Sequence, residues 1–535
     1  SRSGGAGVYY HTSYWGRPHD YLWLNSTNPV LMWEEMSKAY EFKSQDLWIL
    51  NCGDIKPHEY SIELFLDMAW NMNDFKKNKD ISKHQTSWAS REFGAKNATS
   101  ISNLMHSYYT LAFKRRPEFM AWSQVEPVTK SNPTEFTQYH YGDEVSQRIT
   151  DYQNLINDAT SIKSKISQEQ QDAFYQLVYY PVIGAANLNH KWLYAYKNKF
   201  LATQGRQSAM DFGDKSALAY EVIIKETNYF NKTMMNEKWD HIMSMAPRHL
   251  PVFSKPSYAA PTQNKIPELG LALESYQMEV NNSVINSYAD VLPVFNSYTK
   301  NSYFLDVFLK GNGELTWEAK PKADWIKISK VDGKLNKNNL EERLWVTIDW
   351  EKVPKGEAKK EAPLGHDYQL IPPSYKVNSA IDFISNDTVI TIGISVFNPK
   401  LEVLNTYKGF IEDKGFVSIN AENYSRKIDG KEAKWEIYNG LGYSDNVSVA
   451  LPRTAKSQTT IENIVKNSPA LVYDFYTFNF GDVNVNIQAV PTHAFFKDRG
   501  VRCAVSIDDA EPVLLDFQTF GRSDNWKKNV LKNAT

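Results

Sequence analysis

The chain has 535 residues, 42 % of them hydrophobic and 13 % aromatic, and a formal net charge of −2. That length calls for several domains rather than one. The balanced charge offers no basic field for nucleic acid, and no apolar run reaches the roughly 20 residues that span a bilayer.

Ser1 to Gly7 has no charged start followed by an apolar stretch, so it is not read as a signal peptide but as the interior of a longer chain. Val8 to Tyr14 is β-branched and aromatic and predicts a strand. Pro29 to Phe42 predicts a helix with Leu31, Met32, Met36 and Tyr40 on one face. Asp46 to Asn51 is a continuous apolar run, the pattern of a parallel strand buried on both faces. Glu59 to Asn71 predicts a second helix with a stripe of Ile62, Phe65, Leu66, Ala69 and Trp70. Two such strand–helix units cannot close a barrel, which needs about eight. Residues 1–100 are therefore expected to be the tail of a (β/α)8 barrel, with the remainder absent.

From about residue 100 the periodicity is helical, and 101–245 is expected to form a helical bundle. Val145, Ile149, Tyr152, Ile156, Ala159 and Ile162 recur at steps of four and three. Ser167 and Gln170 resemble a capping box, and Pro181 is expected to kink or end the helix that follows. Further helices are expected at Trp192 to Thr203, stopped by Gly205, and at roughly Ser216 to Trp239. Residues 246–290, rich in Pro, Ser and Asn, read as an extended connection.

Beyond it the period becomes two. Leu344, Val346 and Ile348 alternate with polar or aromatic neighbours, as do Ile390, Ile392, Ile394 and Val396, then Val483, Val485 and Ile487, then Val501, Cys503, Val505 and Ile507. Asp508 and Asp509 mark a turn. This predicts β-sandwiches over 291–402 and 403–535. Cys52 and Cys503 are too few for a disulfide framework or a zinc site, and Cys52 reads as a small buried hydrophobe. No phosphate loop or G-x-S-x-G elbow is present, and no cofactor or metal is expected. Lys114-Arg115-Arg116 reads as a solvated helix end.

In a parallel barrel, functional groups sit at the C-terminal strand ends. The first strand delivers Tyr9, Tyr10, His11 and Tyr14, then the loop Trp15-Gly16-Arg17-Pro18-His19-Asp20. The second delivers Asn51, Gly53, Asp54, Lys56, His58 and Glu59. Together these offer donors, a cation, two carboxylates and aromatic faces, a set suited to a sugar acid. Structural readings stand beside the functional ones. His11 reads equally as a structural histidine, Arg17 and Asp20 as a pair across the loop, Asp54 and Glu59 as helix-start residues, and Lys56 as solvated loop.

The run Gly4-Gly5-Ala6-Gly7-Val8-Tyr9-Tyr10-His11-Thr12-Ser13-Tyr14-Trp15, with Asp20-Tyr21-Leu22-Trp23-Leu24-Asn25, closely resembles a late-barrel segment of glycoside hydrolase family 115. Leu47 to Pro57 resembles that family's last barrel strand, Arg115 to Met120 its helical domain, and Val417 to Tyr424 with Val472 to Phe478 its C-terminal β-domain. The resemblance implies α-1,2-glucuronidase activity on xylan or oligosaccharides derived from it. It also implies an inverting mechanism, a homodimer, and a secreted or periplasmic location. It matches His11 and Tyr14 to substrate-contacting positions and Asn51 to a hydrogen-bonding one, with Lys56 and Asp54 as further carry-overs. The catalytic carboxylates are implied to lie ahead of Ser1, and that role is not reassigned to Asp54 or Glu59. The competing reading is a non-catalytic carbohydrate-binding or scaffold fragment, with Trp345, Trp350 and Trp435 as candidate sugar platforms.

Overall fold

The parallel strand pair expected near the N-terminus forms, with a helix after each strand. A computed structural model of the chain describes residues 4–16, 21–77, 80–121, 131–262, 264–276, 291–357, 376–479, 481–496, 499–519 and 523–534. Strand β1 (Ala6–His11) pairs in parallel with β2 (Ser44–Asn51), His11 facing Asn51 in the register. Helix α1 (Pro29–Glu41) starts where Asn28 accepts hydrogen bonds from the Val30 and Leu31 amides and Pro29 presets the first turn. Helix α2 (Glu59–Lys77) follows β2.

Two expectations here are corrected. β2 is not buried on both faces: Tyr10 and Trp48 pack on Phe65, but Leu47 is 60 % and Ile49 42 % exposed. Among the described residues β1 and β2 make a sheet of two strands, with helices on one face. The α2 stripe is also differently phased. Tyr60, Leu64, Phe65, Met68 and Met72 are buried, whereas Leu66 is exposed and Trp70 is 92 % exposed. The stripe follows the one sheet face that the helix meets.

Helices α3 (Ile81–Phe93), α4 (Ala95–Lys114), α5 (Glu144–Lys163), α6 (Gln171–Phe174), α7 (Tyr180–Thr203) and α8 (Ala209–Lys232) follow. Pro181 does not end its helix. A π-helical turn at Tyr175–Tyr179 precedes α7, which then runs unbroken through Trp192 to a cap where Gly205 adopts a φ of +71°. One core runs from Trp23 through Phe65, Tyr108, Tyr152 and Tyr180 to Phe253, so no gap in packing marks the boundary expected at 100/101. Among the described residues no helix is long and apolar enough to cross a membrane.

The connection expected over 246–290 is not all connection. Strand β3 (Glu268–Leu273) lies within it, and residues 277–290 lie outside the described residues. Further strands are β4 (Phe295–Asn296), β5 (Tyr303–Lys310), β6 (Leu315–Pro321), β7 (Ile326–Ile328), β8 (Asp332–Leu335), β9 (Glu341–Ile348), β10 (Gly356–Glu357), β11 (Lys376–Ser385), β12 (Thr388–Phe397) and β13 (Pro399–Lys400). They build a four-stranded sheet, β3-β5-β9-β7, and a five-stranded one, β4-β12-β11-β6-β8. Leu305, Val307, Leu344 and Val346 of the first share a core with Trp317, Phe383, Ile392 and Ile394 of the second.

The helices and the four-stranded sheet are joined by buried charges. Asp306 accepts from Arg343 at 2.7 Å and from Arg206 at 3.0 Å, while Asp143 accepts from Lys197 at 3.0 Å and from Arg343 at 2.9 Å. Burial pushes the Asp306 carboxyl up, but the two guanidiniums outweigh it and hold the group well below the usual carboxylate range.

Residues 403–535 do not form a second pair of facing sheets among the described residues. They form two-stranded sheets: β14 (Phe410–Ile411) with β19 (Phe475–Tyr476), β15 (Arg426–Ile428) with β18 (Ala470–Val472), β16 (Lys434–Asn439) with β17 (Asn446–Leu451), and β20 (Arg502–Val505) with β21 (Val513–Asp516). The turn expected at Asp508 lies between the last two. Val483, Val485 and Ile487 are exposed and outside any strand. Two short helices complete the region, α9 (Ile461–Asn467) and α10 (Asp524–Lys532).

This region folds back onto the N-terminal helices. Arg453 pairs with Glu34 and Glu41 of α1, and Tyr438 lies 4.7 Å from the Trp33 ring. Arg116 is 1 % exposed rather than solvated. Its guanidinium donates to Asn533 Oδ1 at 2.5 Å and to the Val530 carbonyl at 2.7 Å, holding the end of α10. Arg115 is likewise buried and donates to the Phe119 carbonyl at 3.0 Å.

His106 and Asp445 bridge the same interface at 2.8 Å, and Thr110 donates to Asp445 at 2.8 Å. The hydrogen bond to Asp445 raises the His106 pKa against burial. Burial pushes Asp445 up, but its bonds from His106 and Thr110 hold it below the usual range. The raised histidine contributes fully below its unfolded pKa, near 6.5, and is lost as pH rises through its folded value. The depressed aspartate contributes above its unfolded value and is lost as pH falls through its folded one. Thermal stability measured from pH 5 to pH 9 is therefore expected to fall on the alkaline side, and His106→Gln to flatten that fall; an unchanged slope in the variant refutes the assignment.

Candidate functional site

The C-terminal ends of β1 and β2 bring three of the expected residues together. His11 stands opposite Asn51, and the Thr12 amide donates to the Asn51 carbonyl at 2.9 Å. The His11 ring lies edge-on between Tyr9 and Tyr14, 4.9 Å from each centroid. Its Nδ1 is buried with no hydrogen-bond partner among the described residues. Asn51 donates to the Tyr9 hydroxyl at 2.8 Å and accepts from the Gly53 amide at 3.2 Å.

The loops after the strands pack on one another. Gly53 has a φ of +63°, and a Cβ there would lie 2.4 Å from Trp15 Nε1 and 2.8 Å from Ser13 Oγ. The turn therefore requires glycine twice over, for its conformation and for the approach of Trp15. Tyr21 to Asn28 then enters the core. Trp23 donates to the Tyr180 hydroxyl at 3.1 Å and Asn25 to Ser61 at 2.7 Å, so the second half of the motif run is scaffold. Arg17, Pro18, His19 and Asp20 lie outside the described residues.

The other two expected residues are not drawn into this cluster. Asp54 is exposed on the turn. Lys56 pairs with Glu59 at 2.8 Å and lies 4.3 Å over the Trp239 ring. Glu59 also accepts from Gln176 on the π-helical turn. Its charge is thus matched, and it stands in the first turn of α2, where the helix-start reading placed it, while Lys56 is paired rather than plain solvated loop. Cys52 is half-buried beyond the strand rather than a core residue, and burial pushes its thiol up, away from thiolate chemistry. His58 is buried, and desolvation lowers its pKa to about 4, so it is neutral at pH 7.

Two residues near the site escaped the sequence reading. Trp239 covers Lys56, and Arg248 Nη1 donates to the Trp15 carbonyl at 3.4 Å. Both lie in stretches that read as helix end and connection. The platform candidates are mostly engaged elsewhere. Trp345 is half-exposed and edge-on to Phe304, Trp350 packs on the core between the sheets, and Trp435 donates to the Pro469 carbonyl at 3.0 Å. Ligand atoms of Glu63, Asp67 and His84 lie within 4.8 Å of one another, but Glu63 pairs with Arg91 at 2.6 Å and Asp67 with His84 at 2.9 Å. The strand-end cluster thus offers a histidine, a tyrosine and an amide to a polar ligand, without a pair of free carboxylates beside them among the described residues.

The Glycosyl hydrolase family 115 model matches residues 1–119, and the Glycosyl hydrolase family 115 C-terminal domain model matches residues 409–535. Among solved structures the chain is similar to a family GH115 4-O-methyl-alpha-glucuronidase, BtGH115A, with specificity for decorated arabinogalactans. The identity is 26 % and the TM-score 0.44, over 65 % of this chain and 50 % of that one. The chain thus spans half the length of that structure. It also matches the ASH / PapD-like domain of human CEP192 at 10 % identity and a TM-score of 0.16, over 28 % of this chain and 98 % of that one. No curated protein matches at a significant level. The two family matches hold the strand-end cluster at one end and the region that packs back on α1 and α4 at the other, so both ends of the chain match models of glycoside hydrolase family 115.

Proposed function

We propose that this chain carries the substrate-contacting part of a glycoside hydrolase that removes (4-O-methyl)glucuronic acid from glucuronoxylan, without the acid and base of the reaction. The observation that carries the reading is the meeting of His11, Tyr14 and Asn51 at the ends of two parallel strands, inside the segment matched by the family model. Two strands, helices on one face and an uncovered apolar face support the tail of a larger parallel barrel. An inverting mechanism would place two carboxyls roughly 6.5–9.5 Å apart around a water. Glu59, tied to Lys56 and Gln176, does not suit that role. A homodimer and a secreted or periplasmic location accord with a polymeric substrate and rest on the family resemblance alone.

Calorimetric titration with a xylo-oligosaccharide bearing 4-O-methylglucuronate tests the site. Saturable binding is expected, weakened about tenfold or more by His11→Ala or Asn51→Ala, since each removes a ligand hydrogen bond. Unbranched xylo-oligosaccharide should bind far more weakly. Equal binding of both oligosaccharides, insensitive to the substitutions, would replace this reading by that of a xylan-binding scaffold.

A further inference from the structure

We propose that Arg248 receives the carboxylate of the substrate's sugar acid; this rests on the strand-end cluster being a uronate site. The segment after α8 is unusual in its backbone. Met235, Asn236, Glu237, His241, Arg248 and His249 all have φ between 50° and 63°, without one glycine among them. Such left-handed residues persist only where surrounding structure imposes them, and they concentrate at ligand clamps. Here the imposing contacts are visible. Asn231 bonds both the carbonyl and the amide of Met243, at 2.9 and 3.0 Å. Lys191, fully buried in α7, donates to the carbonyls of Val252 and Ser254 at 2.8 and 3.0 Å, and Trp192 donates to Val252 at 2.7 Å.

The segment so fixed faces the strand ends. Trp239 covers Lys56, and Arg248 reaches the carbonyl of Trp15, whose indole in turn lies on Gly53, two residues beyond Asn51. Arg248 makes no ion pair among the described residues. Arg91, Arg206, Arg343 and Arg453 are each ion-paired, and Lys56 is paired with Glu59. Arg248 is exposed, and its one acceptor among the described residues is a neutral carbonyl at 3.4 Å. A planar guanidinium held in this way, with its remaining donors open, matches a carboxylate through two parallel hydrogen bonds. The division of labour follows: the strand ends hold sugar hydroxyls, and the strained segment selects the acid over the neutral sugar.

The test titrates the chain with D-glucuronate and with D-glucose, which lacks the carboxylate, following both by NMR. Arg248→Gln and Arg248→Gly are expected to weaken glucuronate about tenfold to a hundredfold and to leave glucose unchanged. The glycine variant keeps the left-handed backbone without strain, so its loss is assigned to the guanidinium. Tyr14→Phe is expected to weaken both sugars. If the Arg248 variants bind glucuronate as the unsubstituted chain does while Tyr14→Phe weakens it, the role of Arg248 is refuted and the site stands. If Tyr14→Phe changes neither sugar, the strand-end site itself is refuted, and Arg248 has no uronate site to serve. Absence of saturable glucuronate binding by the unsubstituted chain overturns both.

Discussion

Asp306→Ala is expected to cost about 3–5 kcal/mol of stability, because it leaves the buried Arg206 and the half-buried Arg343 guanidiniums without their shared carboxylate. Arg206 is almost fully buried and would retain Glu341 at 3.3 Å, and Arg343 would retain Asp143 at 2.9 Å; these secondary partners place the cost toward the lower end. The residues belong to α5, α7, the α7–α8 turn and the four-stranded sheet, so the loss is felt between the helical part and the sheet rather than inside either. Urea unfolding followed by tryptophan fluorescence reads it directly. Asp306→Asn keeps the shape while removing the charge and is expected to cost less. A loss below about 1 kcal/mol for the alanine variant would equate the network with ordinary surface pairs and contradict this account. Because Asp306 is held well below the usual carboxylate range, its contribution is present throughout the neutral range. It persists through the normal titration of carboxylates and is lost only in strong acid.

What the sequence made legible followed from two-faced patterns. β9 and β12 alternate because one face meets a core and the other does not, and Leu344, Val346, Ile392 and Ile394 are buried as their spacing requires. The long helix at Val145 was readable for the same reason. The phase of α2 was not, because Ile62, Phe65, Leu66, Ala69 and Trp70 also satisfy helical spacing. Only the position of β2 decides that Leu64 and Met68 face inward. Arg116 looked like a charged helix end because its partners Asn533 and Val530 lie more than 400 positions away, beyond any local pattern. The meeting of His11, Tyr14 and Asn51 at the strand ends was legible from strand-end position and family resemblance. Arg248 was not, since its left-handed backbone is imposed by Lys191, Trp192 and Asn231 rather than signalled by glycine or asparagine. Val483, Val485 and Ile487 alternate like a strand, yet they have no pairing partner among the described residues.

The second large effect is on catalysis. General acid and general base are each worth about 10²–10⁴-fold. If neither belongs to this chain, as proposed, its binding residues hold a sugar acid without cleaving its bond. Glu59 is neutralised by Lys56 and bonded by Gln176, and Asp54 sits exposed on the turn, so neither is placed to supply the missing group. Adding strand–helix units ahead of Ser1 is expected to restore turnover, and Tyr14→Phe in that extended form to reduce it.

The decisive measurement is the release of uronic acid from glucuronoxylan by this chain, beside a form extended ahead of Ser1. Release is expected from the extended form alone. Release by the 535-residue chain itself would mean that Asp54, Glu59 or another of its carboxylates performs the chemistry, and would contradict the central claim.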